Sequence, residues 1–196
     1  MTALTTARLS LEPVTPRNAS VLWKIMQSPN LREYQDIPRL TRDEFAQRVA
    51  RRPKEFRNRA LGRFEWLVIA RMDRTALGWV SLRIGEQMRN SAELGYSLVT
   101  AHRSQGYATE ATAAVIAAGF QAGLARVDAC CVPENLASRR LLDRLGFRRT
   151  KTQKAGAVVR GRAVDIVVYE MTREFWAARQ EGSANSIVIP ASAKPK

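Results

Sequence analysis

Six residues, from Arg103 to Ala108, have the types and spacing that most clearly indicate chemistry. They read Arg-Ser-Gln-Gly-Tyr-Ala and lie between an apolar strand pattern, Glu93 to Val99, and an alanine-rich helix pattern. A loop that leads into a helix exposes unpaired backbone N–H groups, and the helix dipole favours negative charge there. Gly106 and Ala108 lack bulk, so an anion can approach the backbone closely. The segment therefore predicts a phosphate or pyrophosphate site.

This loop also resembles a known signature. Arg/Gln-x-x-Gly-x-Gly/Ala after such a strand is similar to the acetyl-CoA motif of the GNAT N-acetyltransferase superfamily. Downstream, the segment Pro-Glu-Asn-Leu-Ala-Ser at 133–138 and Leu-Gly-Phe at 145–147 resemble elements of its RimJ/RimL branch. That branch includes ribosomal-protein N-terminal acetyltransferases. The resemblance is strong over 92–150 and looser over 7–90 and 151–172.

The resemblance implies an acyl-CoA-dependent N-acetyltransferase. Acetyl-CoA would be the co-substrate, with no metal, and a primary amine would attack it directly in a ternary complex. The implied acceptor is the α-amine of a protein N-terminus. Relatives also modify small amines, amino acids or antibiotics, or use longer acyl groups. A second class of function stays open, namely a non-catalytic module of the same fold that binds CoA or RNA.

The elements that must position this loop follow from hydrophobic periodicity along the chain. Apolar spacing predicts helices at 18–27, from Thr41, at 107–122 and after Asn135. Alternation or apolar runs predict strands at 7–12, 64–71, 76–84, 92–99, 126–132, 147–152 and 164–172, with a basic turn at 154–162. Strands 64–99 fit an antiparallel meander. A Rossmann fold is rejected, because the loop has one glycine and no Gly-x-Gly-x-x-Gly pattern.

The fold class is therefore α/β (α+β), and the resemblance implies the GNAT fold. That fold has a mixed, mostly antiparallel sheet of about seven strands flanked by about four helices. Its strands corresponding to 93–99 and 126–132 splay apart to form the acetyl-CoA wedge. We expect the acetyltransferase domain to cover 1–180. The small, polar and proline-bearing segment 181–196 predicts a flexible C-terminal tail.

Composition favours anionic partners. The 196 residues contain 32 Lys and Arg against 18 Asp and Glu, which gives a net charge of +14. Such a charge raises the encounter rate with CoA, and equally with ribosomal RNA. A basic cluster at Arg51, Arg52, Lys54, Arg57, Arg59 and Arg63 is typical of a solvated face, with an RNA-facing patch as the alternative.

Cysteine usage and hydropathy bear on the compartment. Cys130 and Cys131 are adjacent, and neighbours on a strand point to opposite faces, so they are poor disulfide partners. No metal-ligand set, signal peptide or membrane span is evident in the sequence. We expect a cytoplasmic protein that is a monomer or a homodimer.

The cofactor would be held by two groups of residues. The loop and first helical turn supply Arg103, Ser104, Gln105, Gly106, Tyr107, Ala108 and Thr109. By resemblance, the backbone of Leu98 and Val99 pairs with the pantetheine arm and orients the thioester carbonyl. Asn135 would hydrogen-bond the arm, although it also suits a plain helix cap.

Acyl transfer needs a neutral amine and help for the departing thiolate. Ser138 is the predicted thiolate partner, because the RimJ/RimL pattern has a serine there and the chain lacks the tyrosine that other GNAT branches use in this region. By resemblance to the family, the positions of Glu93 and Asp165 face the acceptor side, so both are candidate bases, with salt bridging as the alternative for each. A water relay, or attack by the neutral fraction of an α-amine, is a further alternative.

Other reactive residues rank lower. His102 flanks the phosphate loop and is a less favoured base, and buried strand thiols such as Cys130 and Cys131 are usually inert. By resemblance to the GNAT fold, segments 28–40 and 153–163 would face the acceptor. Tyr34 is the candidate contact there, with an ordinary loop aromatic as the alternative. Glu110 suits the helix dipole in the first turn and is expected to be structural.

Overall fold

A computed structural model describes residues 1–56, 60–88 and 90–185 of the chain. The described residues form one eight-stranded sheet with five α-helices. The strands are β1 Leu4–Thr5, β2 Leu9–Pro13, β3 Gly62–Ala70, β4 Ala76–Ile84, β5 Ser91–Leu98, β6 Arg126–Cys131, β7 Arg148–Val159 and β8 Arg162–Thr172. The helices are α1 Ala19–Met26, α2 Arg42–Ala50, α3 Tyr107–Gln121, α4 Leu136–Leu145 and α5 Arg173–Asn185.

The sheet order is β1-β2-β3-β4-β5-β6-β8-β7, and all pairs are antiparallel except β5 with β6. The predicted GNAT fold is confirmed, with one more strand and one more helix than expected. The helix after Thr41 begins with a capping box, since Thr41 and Glu44 bond each other's backbone N–H. Gly123, with φ of 103°, follows α3 as a glycine stop.

Side-chain alternation in the strands divides the core between the two faces of the sheet. On β3, Trp66 and Val68 face the cluster that includes Val115 of α3 and Leu142 of α4. Leu67, the residue between them, faces the second cluster, which packs beneath α1 and α2. Helices therefore cover both faces and hold the central strands rigidly.

A gap opens between β5 and β6, as the GNAT resemblance implies. The two strands pair from Ser91 opposite Arg126 to Leu94 opposite Ala129, and then separate. Each keeps its other neighbour, because β5 stays on β4 as far as Leu98 and β6 stays on β8 as far as Cys131. Gly78 permits the close approach of β4, since a Cβ there would lie 2.0 Å from the Ser97 carbonyl oxygen.

The prediction of a turn over 154–162 is wrong. Strands β7 and β8 continue as a long hairpin, and the turn is Arg160-Gly161, both residues with positive φ. An irregularity between Gln153 and Ala157 absorbs the extra residues, with Ala155 at a φ of 48°. Lysine and glycine in this segment suggested a loop, but long-range pairing with β8 outweighs that local preference.

The C-terminal segment begins as a helix. Helix α5 extends to Asn185, beyond the expected domain boundary at 180, and residues 186–196 of the predicted tail lie outside the described residues. Trp176 packs with its ring centroid 6.2 Å from that of Phe120, whereas Phe175 is exposed. Within the described part of the chain, no helix is both long and apolar enough to cross a membrane.

Candidate active site

A cleft of about 680 Å³ occupies the gap between the splayed strands. The unpaired ends of both strands line it, at 95–98 on β5 and 130–132 on β6. The start of α3 and one side of α4 complete the walls. Of the predicted site residues, these line the cleft: Glu93, Leu98, Arg103, Ser104, Gly106, Tyr107, Ala108, Thr109, Asn135 and Ser138. The wedge shape suits a long, narrow ligand with its reacting end between the strands.

The phosphate loop has the geometry that its residue types predicted. Ser104 and Gly106 have φ values of 62° and 81°, and Gly106 is the N-cap of α3. No side chain caps the helix, so its first N–H groups point into the cleft wall as donors for an anion. Gln105 differs from its neighbours: its amide donates to the Ala101 carbonyl at 3.3 Å, and it is not among the lining residues.

Arg8, which sequence inspection did not single out, supports this loop from behind. Its guanidinium donates to the Gln105 carbonyl at 3.0 Å and lies 4.5 Å from the centroid of the Tyr107 ring. Glu110 accepts from the Arg8 side chain at 2.7 Å and from the Thr6 hydroxyl at 2.5 Å. Burial raises the pKa of Glu110, but the bonds from Thr6 and Arg8 outweigh it and lower the pKa overall. The expected structural role of Glu110 fits this position.

Ser138 lies at the inner end of the cleft, one turn into α4. Asn135 caps that helix, with its side-chain oxygen accepting from the Ser138 N–H at 3.1 Å. The Ser138 hydroxyl lies 2.7 Å from the hydroxyl of Tyr96, a residue of β5 that sequence inspection missed. Burial raises the pKa of the Tyr96 phenol well above its usual value. A protonated phenol can therefore donate to Ser138. The serine hydroxyl, which also contacts the Cys131 thiol, can then turn its hydrogen toward a cleft ligand.

Glu93 lies on the opposite face of β5 from Tyr96, because the two are an odd number of positions apart, three, on a strand whose side chains alternate. It lines the cleft and forms an ion pair with Arg83, whose Nε lies 3.1 Å from the carboxylate. About a third of the Glu93 side chain is exposed. An amine that enters from this face meets a carboxylate, while the tyrosine and serine stay on the other side.

Asp165 is held away from the cleft. Its carboxylate accepts from Lys154 Nζ at 2.7 Å and from the Ala155 N–H at 3.1 Å. The hydrogen bond from Lys154 lowers the pKa of Asp165, which makes it a weaker base. Ile166, the next residue along β8, lines the cleft instead. Sequence position placed Asp165 near the acceptor, but side-chain alternation directs the following residue there.

The backbone of Val99 and the two cysteine thiols are the remaining groups that the sequence singles out. Val99 uses its N–H to bond the Leu77 carbonyl at 2.8 Å and its carbonyl to accept from His102, so both groups are already engaged. Cys131 is buried as expected, whereas Cys130 is exposed, because neighbours on a strand point to opposite faces. Partial desolvation raises the pKa of the Cys130 thiol to about 11 and burial raises that of Cys131, so both favour the neutral thiol. Across the described residues, no group of His, Cys, Asp and Glu is suited to a metal ion.

Basic residues surround the cleft mouth. Arg140 and Arg144, four positions apart on one face of α4, line it together with Arg63 and Arg103. The spacing of this α4 pair is visible in the sequence, but only the packing of α4 shows that this face meets the cleft. The basic cluster at 51–63 is divided, since Arg52 pairs with the buried Glu65 at 2.6 Å. Two of its members, Arg57 and Arg59, lie outside the described residues.

A second groove, of about 610 Å³, adjoins the cleft. The loop between α1 and α2 and the tip of the β7–β8 hairpin form its walls. Gln35 and Asp36 line both cavities, so the groove borders the cleft at these two residues. Tyr34, the predicted acceptor contact, lines the cleft beside this junction, and its hydrogen bond to Glu33 raises the pKa of its phenol.

Comparison with known proteins agrees with this geometry. Residues 8–148 match the model of a GNAT acetyltransferase domain. An uncharacterized N-acetyltransferase of Bacillus subtilis (strain 168), YoaA, is 25% identical over 171 residues, which are 87% of this chain and 96% of YoaA.

Solved structures share the fold. A ribosomal-protein-S5-alanine acetyltransferase from Vibrio fischeri superposes with a TM-score of 0.76 at 18% identity, covering 90% of this chain and 99% of that one. RimL, a ribosomal L7/L12 α-N-protein acetyltransferase in complex with coenzyme A, also gives 0.76, at 17% identity, covering 89% and 99%. The chain therefore belongs to the GNAT acetyltransferase family, and it is an acyl-CoA-dependent N-acetyltransferase whose co-substrate is acetyl-CoA.

Proposed function

We propose that this enzyme acetylates the α-amine of a protein N-terminus by direct attack within a ternary complex. The observation that carries the proposal is the second groove, which adjoins the cleft at Gln35 and Asp36. A small amine needs only the reacting end of the cleft, whereas a peptide must leave it by an extended path. Two neighbours of the same fold are acetyltransferases of ribosomal proteins, which supports the same acceptor class.

In the proposed arrangement, the α3 N-terminus and residues 103–109 hold the pyrophosphate, and Arg8 keeps that loop in place. The arm lies between β5 and β6, with the backbone of Leu98 and the side chain of Asn135 alongside it. Val99 contributes through its carbonyl oxygen, which keeps a second lone pair beyond its bond from His102. The thioester then lies near Ser138.

Ser138 and Tyr96 act on the departing thiolate. A thiol has a pKa near 8.5, below that of any phenol or serine, so full proton transfer from either hydroxyl to the thiolate is unfavourable. We assign them a hydrogen-bonding role, in which Tyr96 donates to Ser138 and Ser138 donates to the sulfur. Such a bond strengthens as negative charge develops, so it stabilises the transition state more than the bound thioester.

Glu93 receives the proton of the attacking amine, directly or through water. Glu93 and Tyr96 lie on opposite faces of β5, so the base and the leaving-group donor are separated. Direct attack requires this separation, because the amine approaches from one side while the thiolate departs toward the other. An α-amine has an ordinary pKa of about 7.7–8.0, against about 10.4 for lysine, so its neutral fraction at pH 7 is far larger. Asp165, paired with Lys154 outside the cleft lining, stays a lesser candidate.

The test compares acceptors that differ only in the position of the amine. One peptide has a free N-terminus and no lysine, a second has a blocked N-terminus and one lysine, and a third substrate is a small diamine. Mass spectrometry should show acetylation mainly of the first. Comparable or faster acetylation of the diamine would assign the enzyme to small amines, and acetylation of none of them would count against N-terminal acetylation.

The proposed compartment is the cytoplasm, and Cys130 and Cys131, both free thiols on one strand, are compatible with its reducing conditions. The charge of +14 further favours proximity to the ribosome, where nascent N-termini and RNA occur together.

A further inference from the structure

The groove beyond the cleft has a composition that indicates what part of an acceptor it binds. Its lining includes Pro29, Arg32, Asp36, Pro38, Arg39 and Arg160. Three of these residues are arginines, and one is an aspartate. The groove is thus cationic, and it is shaped partly by prolines that restrict the backbone of its wall.

Contacts between the two walls fix this shape. Arg160, at the hairpin tip, donates from Nε to the Arg32 carbonyl at 3.3 Å. The Arg32 guanidinium in turn donates to the Ile37 carbonyl, across the same loop. Two segments that are more than a hundred residues apart in sequence are therefore held against each other over the acceptor side of the cleft.

The positive charge in the groove is not neutralised. Among the residues that the structure describes, Arg32, Arg39 and Arg160 form no ion pair with a carboxylate. Arg39 and Arg160 are exposed, whereas Arg32 is half-buried and its guanidinium donates to the Ile37 carbonyl of its own loop. Clustered guanidinium groups with this freedom are well suited to bind carboxylates, often with two parallel hydrogen bonds.

The aspartate occupies a different position. Asp36 lines both the groove and the cleft, so negative charge lies at their junction and positive charge lies further along. A peptide N-terminus has an ammonium group followed by its first side chains. This charge pattern matches an acceptor whose amine passes Asp36 while acidic side chains follow it.

We propose that the groove between the 29–39 loop and the β7–β8 hairpin tip selects acceptors with acidic residues directly after the N-terminal amine. Arg39 and Arg160 are the specificity-determining residues, and Arg32 positions the loop. The proposal rests on the proposed N-terminal acetylation, and it adds the charge of the acceptor. An extended peptide advances about 3.3–3.6 Å per residue, so the second to fourth residues are those that reach the groove.

The experiment measures kcat/KM with three C-terminally amidated peptides: Ser-Asp-Glu-Ala-Gly, Ser-Asn-Gln-Ala-Gly and Ser-Arg-Arg-Ala-Gly. Exposed ion pairs contribute up to about a five-fold effect each, so we expect the acidic peptide to exceed the neutral one by roughly 5- to 20-fold at low salt. The basic peptide should be the poorest. The preference should shrink toward 1 M salt, where the Debye length is about 3 Å.

The double variant Arg39→Gln/Arg160→Gln should reduce the ratio of kcat/KM for the acidic peptide to that for the neutral one to about two-fold or less, because it removes the ion pairs that produce the preference. Arg17→Gln/Arg48→Gln is the matched control, since it removes the same two charges from exposed arginines that line neither cavity. The control should keep the wild-type ratio. Circular dichroism of each variant checks that it is folded.

Equal rates for the acidic and neutral peptides would overturn the inference and leave N-terminal acetylation intact. Acetylation of no peptide at all would instead count against the proposed function. Inhibition by a short single-stranded RNA that the double variant abolishes, without discrimination among peptides, would assign the groove to nucleic acid and also overturn the inference.

Discussion

The bond between Tyr96 and Ser138 allows the leaving-group chemistry to be tested directly. The two hydroxyl oxygens are 2.7 Å apart, and burial raises the pKa of Tyr96, so the phenol remains a donor at neutral pH. If Ser138 alone contacts the sulfur, Ser138→Ala removes a bond to a developing charge. Such bonds contribute about 1.5–3 kcal/mol, so kcat should fall by about 10- to 150-fold.

Tyr96→Phe removes only the bond that orients the serine. A bond between neutral groups contributes about 0.5–1.5 kcal/mol, so the expected loss is about 2- to 12-fold. Because the tyrosine acts through the serine, the double variant should be no slower than Ser138→Ala alone. This non-additivity distinguishes a chain of two donors from two independent contributions.

The assay follows acetyl-peptide by mass spectrometry under single-turnover conditions, which isolates the chemical step from product release. The KM for acetyl-CoA should change little, since neither hydroxyl is assigned to binding. A larger loss for Tyr96→Phe than for Ser138→Ala would refute the reasoning and make the tyrosine the direct partner of the sulfur.

Three further predictions concern the base, the phosphate loop and its support. Glu93→Gln should lower kcat by about 100-fold or more, as loss of a general base does, whereas Asp165→Asn, the matched change outside the cleft lining, should alter it less than two-fold by pre-steady-state kinetics. Gly106→Ala forces a non-glycine residue to a φ of 81° with its Cβ 3.3 Å from the Arg8 side chain; the strain of about 1–2 kcal/mol should raise the Kd of CoA by about 5- to 30-fold in calorimetry. Glu110→Gln should lower the free energy of unfolding by about 1–3 kcal/mol at neutral pH, because it weakens bonds to a charged acceptor. Since the pKa of Glu110 is lowered in the folded state, its stabilisation is complete above the ordinary value of 4.5 and is lost as pH falls through the folded value. Urea titrations of wild type and variant should therefore converge in acid, and a constant difference at every pH would contradict this.

Local patterns were sufficient where neighbouring residues decide the structure. The loop at 103–108, the helix that follows and the glycine at its end depend on backbone conformation and capping, which are short-range properties. The capping box at Thr41 and the Asn135 cap were predictable for the same reason. The family resemblance then supplied the splayed strands, since nothing in the local pattern of β5 or β6 requires them to separate.

Predictions were less complete for features that depend on a contact with a segment far away in the chain. The segment 154–162 has turn-forming residues, yet it belongs to a hairpin strand because β8 is present to pair with it. Tyr96 belongs to an ordinary apolar strand pattern, and its bond to Ser138 joins residues 42 positions apart. No local signal marks such a contact.

The amino-acid sequence by itself determined the anion-binding loop, the order of seven strands and four helices, and the chemical types available for acyl transfer. Tertiary structure decided which of those residues meet. It placed Glu93 in the cleft lining and Asp165 beside Lys154. Asp165 faces away because neighbouring side chains of a strand point to opposite faces, and the next residue, Ile166, is the one that lines the cleft. It also brought Arg160 to the 29–39 loop, because the length of the β7–β8 hairpin, set by pairing across the sheet, fixes where its tip ends.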